Sequence, residues 1–384
     1  MKLRREKGFV LIATGVCVFS LLGMLGLALD LGRVYIAKNE AQSFTDTAAL
    51  AGALALNGVS FTKARAAVTS NTKNQWNLGT TTFTTSGAST TITTEFAKAL
   101  AGNLGQPDPA TWEVNPATAV GYTFIRVTAT ATLPLYILPV VGTSLTQGVK
   151  TVSVGGQVPL YNFNSGLFPF SPIYHPDEVT STNPLGFTVG NWYTLRYPGG
   201  ATITNSDVCS GDQGNAALLA LASLQPSDER GFYQDPATSI EREEIINGVM
   251  QYPVTFPGTV SMTGGASNST RDALNDRIRF DTDQVSKTFA EYQANVDANG
   301  DRIGNGFRLL GAPVNSGPPA GGGGGPRPIV GFGGFFLSSG SGGAFYSGGG
   351  GQPFCGQYYG VWSKGSAEQG AGQVGLAYVS VLVQ

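Results

Sequence analysis

Twenty-one consecutive uncharged positions, Phe9 to Leu29, constrain this chain more than any other stretch of its 384 residues. At 1.5 Å rise per residue, a helix of that length covers about 32 Å, the thickness of a bilayer's hydrocarbon core. One membrane crossing is therefore expected. The head before it sets Lys2, Arg4, Arg5 and Lys7 against Glu6, and the positive-inside rule leaves such a head in the cytoplasm with the remaining chain outside. A cleaved secretory signal is the rival reading, but its apolar core runs about 7 to 15 residues and ends in a small-x-small site. Here the run is longer and leaves through Leu27-Ala28-Leu29-Asp30, so the anchor is expected to be retained.

The helical pattern continues past Asp30. Leu31, Val34, Ala37, Ala41, Phe44, Ala48, Ala51 and Ala55 recur at every third or fourth position, the spacing of one helical face. Most are small, which lets another helix or a sheet approach closely. A continuous helix from Phe9 to Leu56 would measure about 72 Å and project about 40 Å beyond the bilayer. The alternative is an ordinary core helix after a separate span.

Strand signals follow. The threonine-rich arms Thr81–Thr85 and Thr90–Thr94 flank Ser86-Gly87-Ala88-Ser89 and read as a hairpin. Ile125, Val127, Ala129, Ala131 and Leu133 alternate with Arg126, Thr128, Thr130 and Thr132, giving one buried and one wet face. Val152 and Val154, set against Thr151 and Ser153, supply a partner strand. Helix first and antiparallel sheet afterward is an α+β plan of the pilin-like kind. Its boundary is expected near Leu160 to Gly166. Beyond it, helices are predicted over 215–224, over 240–250 behind the capping box Thr238-x-x-Glu241, over 270–280 behind Ser269-x-x-Asp272, and over 284–296. Strands are predicted at Ile329–Leu337 and Val374–Val383. Residues 317–360 hold 18 glycines in 44 positions, which reads as loop or tether. The expected organisation is a cytoplasmic head (1–8), a transmembrane helix (9–29), a helix-plus-sheet domain (30–165) and a mixed, β-rich second domain (166–384) carrying the glycine-rich insert 317–360.

Charged residues make up 12% of the chain and the net charge is −2, with no basic stripe beyond the head. That removes the electrostatic case for nucleic-acid binding. Cys17 lies inside the apolar run as a small hydrophobe. Cys209 and Cys355 remain as a candidate disulfide in an oxidising compartment, a pairing that sequence alone leaves open. The single histidine, His175, sits in Pro172-Ile173-Tyr174-His175-Pro176 and is expected on a surface loop. Asp297-x-Asn299-x-Asp301 resembles the start of a calcium loop. It places Arg302 where glycine is wanted and Arg308 where a bidentate glutamate belongs, so a polar turn is expected instead. No Walker or dinucleotide context surrounds the glycine runs, and no G-x-S-x-G elbow or Asp-x-Ser-x-Ser metal-adhesion motif is present. No catalytic residue, metal, cofactor or small-molecule substrate is expected.

Arg4-Arg5-x-x-Gly8, the single span, Asp30-x-Gly32-Arg33-x-Tyr35, Gln42 and Asp46-Thr47-Ala48-Ala49-Leu50-Ala51-Gly52-Ala53 together resemble the bacterial TadE/TadG-like proteins of Flp pilus assembly. The run Phe124–Leu138 and the tail Val374–Gln384 are similar to longer TadG-like members more weakly. The resemblance implies a single-pass inner-membrane protein with a periplasmic body, meeting lipid through residues 9–29 and acting by contact with Tad/Flp pilus-machine proteins. Flp-type pilins are cut after a glycine and carry glutamate five residues beyond the cut. The candidate peptidase site here lies between Gly8 and Phe9, and its fifth residue is Ala13. A buried, uncompensated amine costs several kcal/mol, so an unprocessed accessory or basal component is expected rather than a filament subunit.

Two other classes compete. A surface-binding, adhesin- or glycan-binding-like module on a pilin-like stalk would use aromatics such as Trp192, Tyr193 and Tyr197 to stack on sugars. An exported hydrolase would need acid, base or metal signatures that the sequence does not display.

Overall fold

The helix α1 (Glu6–Leu54) runs unbroken for 49 residues, from the apolar run into the first sheet. Its sequence contains no proline and is dominated by alanine and leucine, the residues least costly to hold in a helix. The chain turns away at Asn57, whose side chain accepts from Val59 N and Ser60 N, and at Gly58, whose φ of +69° favours a residue without Cβ. In this computed structural model, the residues described are 6–70, 90–100, 112–137, 139, 144–198, 202–225, 232–233, 238–263, 268–298, 302–319, 325–339, 352–364, 370–372 and 374–383. The arm Thr81–Thr85 and its turn lie outside them.

A short helix, α2 (Thr62–Thr69), folds back on α1 through Ala64 and Val68. The first sheet then takes β1 (Thr90–Ala97), β2 (Phe124–Pro134) and β3 (Thr146–Leu160) in antiparallel register, with Phe124 opposite Gly156 and Pro134 opposite Thr146. It is completed by the last two strands of the chain, β12 (Trp362–Lys364) and β13 (Ala377–Val383), in the order β1-β2-β3-β13-β12. The first sheet therefore crosses the boundary expected near residue 165. β13 pairs antiparallel with β3 along its outer half, Ala377 opposite Leu160 and Val383 opposite Val154.

One face of this sheet carries α1. Ile125, Val127, Ala129, Ala131 and Leu133 of β2 point into a core with Ala37, Ala41, Phe44, Ala48, Ala49 and Ala53 of the helix. The stripe read from the sequence is right in its middle and departs at both ends, since Leu31 is 58% exposed at its start while Ala49 and Ala53, not Ala51 and Ala55, are fully buried at its finish. It repeats slightly faster than the 3.6-residue turn, so its ends drift round the helix.

The second half forms a six-stranded sheet of β5 (Trp192–Arg196), β6 (Phe232–Tyr233), β8 (Thr259–Thr263), β9 (Leu309–Asn315), β10 (Pro326–Phe336) and β11 (Phe354–Gly360). A small pair, β4 (Asn162–Ser165) with β7 (Val249–Thr255), stands beside it. Helices α3 (Ala216–Ser223), α4 (Thr238–Asn247), α5 (Asn268–Phe280) and α6 (Phe289–Ala294) fall within or close to the predicted spans. β10 and β11 both lie in 317–360, the stretch that composition marks as tether. Glycines within these two strands serve close packing: a Cβ at Gly334 would overlap the Tyr359 ring, and one at Gly356 would meet Leu195 Cδ1 at 2.9 Å. Residues 320–324 and 340–351 of that stretch are outside the described residues.

Candidate functional site

Chemistry concentrates where α1 changes surroundings, first at the end of the apolar run and then along its seam with β3. At the first place Asp30 is buried although it ends the run. Its carboxylate accepts from the backbone N–H of Tyr136, 3.2 Å from each oxygen, and from that of Ile137 at 2.9 Å. One turn on, the Arg33 guanidinium lies 4.2 Å from the centre of the Tyr136 ring and donates to Pro134 O at 3.5 Å. Asp30 and Arg33 thus fix the loop after β2 against the helix.

Along the seam, Asp46 Oδ1 accepts from Gln42 Nε2 at 2.7 Å and from Ser153 Oγ at 2.5 Å, and Ser153 Oγ lies 2.8 Å from Thr45 Oγ1. Two turns later, Gln157 Nε2 donates to Ala53 O at 2.9 Å and Leu56 O at 2.8 Å. Its Oε1 accepts from Ala371 N at 2.8 Å, so one side chain joins α1, β3 and the returning tail. The carbonyls of a helix's last turn have no partner within the helix, and Gln157 serves that end. Between these polar points the backbones touch. A Cβ on Gly155 would be 2.6 Å from the Ala49 carbonyl carbon and 3.1 Å from Ala53 Cβ.

The motif residues divide by this geometry. Asp30, Arg33, Asp46, Ala48, Ala49 and Gly52 serve the body's own packing, with Gly52 set against Ile125 and Val68. Gly32 and Leu50 face away from the sheet: a Cβ on Gly32 would meet nothing within 4 Å, and Leu50 is 37% exposed. Ala51 is half-buried, Gly8 lies in the first turn of α1, and Phe9 beside it is exposed. The β3 partners Ser153, Gly155 and Gln157 were not singled out from the sequence. There Thr151 and Ser153 alternate with Val152 and Val154 in a partner strand, with no face assigned. In the structure the polar phase is buried under α1, while Val152 is 43% exposed on the opposite face. A helix face of alanines lets hydroxyls and glycine come close enough to bond it.

His175 is not on a surface loop. It is fully buried, its Nε2 lies 2.7 Å from Asp212 Oδ1 and its Nδ1 3.4 Å from Glu178 Oε1, and its ring packs edge-on against Phe187 and Tyr193. Asp212 Oδ2 accepts from Thr194 N at 2.6 Å, so the histidine braces β5. Tyr193 and Tyr197 are buried as well, and loss of solvent raises both phenols. Trp192 is half-buried, so the three do not form an exposed stacking platform. Cys209 and Cys355 form a disulfide with Cα atoms 5.8 Å apart, joining β11 to the segment after β5.

Of the calcium-like stretch, Asp297 is exposed, and Asn299 and Asp301 lie outside the described residues. Its twelfth position, Arg308, is fully buried. Arg308 Nε donates to Leu337 O at 2.7 Å and Nη1 to Asp283 O at 2.8 Å, with a further bond to Ser286 O. A fixed cation stands where that motif needs a carboxylate. Among the described residues, no group of three or more His, Cys, Asp or Glu is placed to hold a metal ion.

Among the described residues, α1 is the one helix long and apolar enough to cross a membrane. A lipid-length helix continued into a helix-on-sheet body is consistent with single-pass membrane anchoring. Residues 8–55 match the Tad family model, described as putative Flp pilus-assembly TadE/G-like, which places this region with pilus-assembly proteins. No curated protein and no solved structure matches the chain.

Proposed function

We propose that this chain is a membrane-anchored accessory component of a Tad-type (Flp) pilus assembly or secretion machine, acting through protein contacts and not through catalysis. One observation carries the reading: the residues matched by the family model, 8–55, are those of the helix that is lipid-sized at one end and seats the sheet at the other. In this reading the basic head is cytoplasmic, residues 9–29 cross the inner membrane, and the two sheets stand in the periplasm. Gly32 and Leu50 support contact with a partner, because they belong to the family motif and, among the described residues, a Cβ on Gly32 would meet nothing within 4 Å and Leu50 is 37% exposed.

The test is made in a pilus-forming host. A photoreactive residue at position 50 is expected to crosslink to an identified inner-membrane platform protein of the pilus machine, and deletion of the chain is expected to reduce piliation. Normal piliation in the deletion strain, with no such crosslink, would overturn the proposal.

A further inference from the structure

We infer that Leu135–Ile137 after β2 and Leu145 before β3 form a second lipid contact, seated on the outer boundary of the bilayer beside the exit of α1. The inference rests on the reading of α1 as a membrane span. Its first support is position. Gly52 meets Ile125 at one end of the helix–sheet contact, and Asp30 meets Tyr136 at the other. The 22 residues from Asp30 to Gly52 rise about 33 Å as helix. The 11 residues from Ile125 to Tyr136 cover about 36 Å as strand. β2 therefore runs the length of the seam back to the membrane end, and its tip lies within one side chain of the span's last residue.

Composition is the second support. No Asp, Glu, Lys or Arg occurs between Arg126 and Lys150, and the chain leaves β2 through Leu135-Tyr136-Ile137 and enters β3 after Leu145. Tyr136 is 65% exposed and Leu145 72% exposed, so these large apolar groups are not absorbed by the body. An apolar tip in water is a liability; at the interface it is favourable, and tyrosine is enriched there.

Backbone chemistry is the third. Irregular chain near hydrocarbon is tolerated only where its amides are paired. Asp30 supplies acceptors for both Tyr136 N and Ile137 N, and Arg33 covers Pro134 O. The same bonds help to satisfy a carboxylate buried at the end of the apolar run. Arg33 over Tyr136 then has the placement of an interfacial cation, its charge reaching toward headgroups.

The full chain is reconstituted in phosphatidylethanolamine–phosphatidylglycerol vesicles and labelled with an environment-sensitive fluorophore at one thiol at a time. Native Cys17 reports the span. Tyr136→Cys and Leu145→Cys, each in a Cys17→Ser background, report the tip, and Val59→Cys reports the far end of α1. Absence of additional reactive thiols shows that the Cys209–Cys355 bond, and hence the fold, is intact. The labels at 136 and 145 are expected to lose emission to lipids carrying a shallow nitroxide, and the label at 17, near the middle of the span, to lipids carrying one deep in the acyl chain, while the label at 59 keeps its emission with both. If 136 and 145 behave like 59 while 17 is quenched, the loop inference fails and the span stands; if 17 also behaves like 59, the span reading fails with it. Tip labels unquenched in pure vesicles but shielded in native membranes would assign the loop to a protein partner and overturn the lipid contact.

Discussion

Gly155→Ala tests whether backbone contact between α1 and β3 holds the body on its anchor. The added methyl would overlap the Ala49 carbonyl, coming within 2.6 Å of its carbon where ordinary contact begins at 3.4 Å. The obstructing atoms are helix backbone, so no rotamer change relieves them. α1 must lift by about 1 Å, a gap that forfeits about a quarter to a half of the dispersion energy across the seam. Overpacking of this kind costs about 1–3 kcal/mol, and the rigid neighbour places Gly155→Ala toward the upper end. The same substitution restricts the unfolded chain and returns about 0.4–1 kcal/mol. Gly148→Ala isolates that second effect, since Gly148 lies in the same strand with nothing within 4 Å of its Cβ position. The difference between the two variants is the packing cost alone. Gly52→Ala should fall between them, because its methyl meets Ile125 Cδ1 at 2.5 Å, the movable end of a side chain. Urea unfolding of the full chain in mild detergent, followed by near-UV circular dichroism, measures all three. Stabilities of Gly155→Ala and Gly148→Ala within about 0.5 kcal/mol of each other, the scatter of neutral surface changes, would refute the close-approach argument.

Two further outcomes follow from the second half. Burial alone would raise the Asp283 carboxyl, but hydrogen bonds from Ser286, Asn295 and Val285 outweigh it and hold the group below its ordinary value of 3.8. A depressed carboxyl stabilises the fold fully above its unfolded value and loses that contribution as pH falls through the lower, folded one. Asp283→Asn should therefore be less stable at neutral pH and show a shallower loss below about pH 4; an unchanged acid limb in urea titrations would remove Asp283 from the linkage. Breaking the Cys209–Cys355 bond opens a loop of 146 residues, and Cys209→Ser with Cys355→Ser should cost about 2–5 kcal/mol, read as a difference in urea midpoint that reductant abolishes in the parent chain.

What the sequence made legible was local. The charge-free run, the small-residue stripe and the alternation of β2 each declare themselves within a few turns or pairs, and α1 and β2 stand where those patterns put them. Pairing across the chain was not legible. Nothing near Leu160 announces Ala377 as its partner, so the closing of the first sheet by β13 could not be read from either segment. The phase of β3 stays open for a related reason. Both phases of β3 are covered over part of their length, Ser153 and Gly155 against α1 and Val154 in a separate cluster with Phe124 and Trp112, while Val152 stays 43% exposed. A lone histidine gives no hint of burial either, since the carboxylate that fixes His175 is 37 residues away in sequence. Glycine richness has two physical meanings, tether and ring-packing surface, and composition cannot distinguish them. The aromatic side chains set against Gly311, Gly334 and Gly372 belong to the second.

The seam also settles how the body can be presented. A flexible linker after the span would let the sheets swivel, with orientation set by whatever they met. Here the helix that leaves the apolar run is the one that fills the core, and no proline interrupts it between Glu6 and Leu54. Bending it would break backbone hydrogen bonds in a region where Asp46, Ser153 and Gln157 also bind it to β3. Through Gln157 and Ala371 the returning tail is tied to the same seam, and the bridge from Phe332 to Gly375 carries the connection into the second sheet. A tilt of α1 is therefore a tilt of the whole body. In the proposed reading, contacts made at Gly32, Leu50, Tyr136 and Leu145 would then act on a body whose two sheets are joined through that seam.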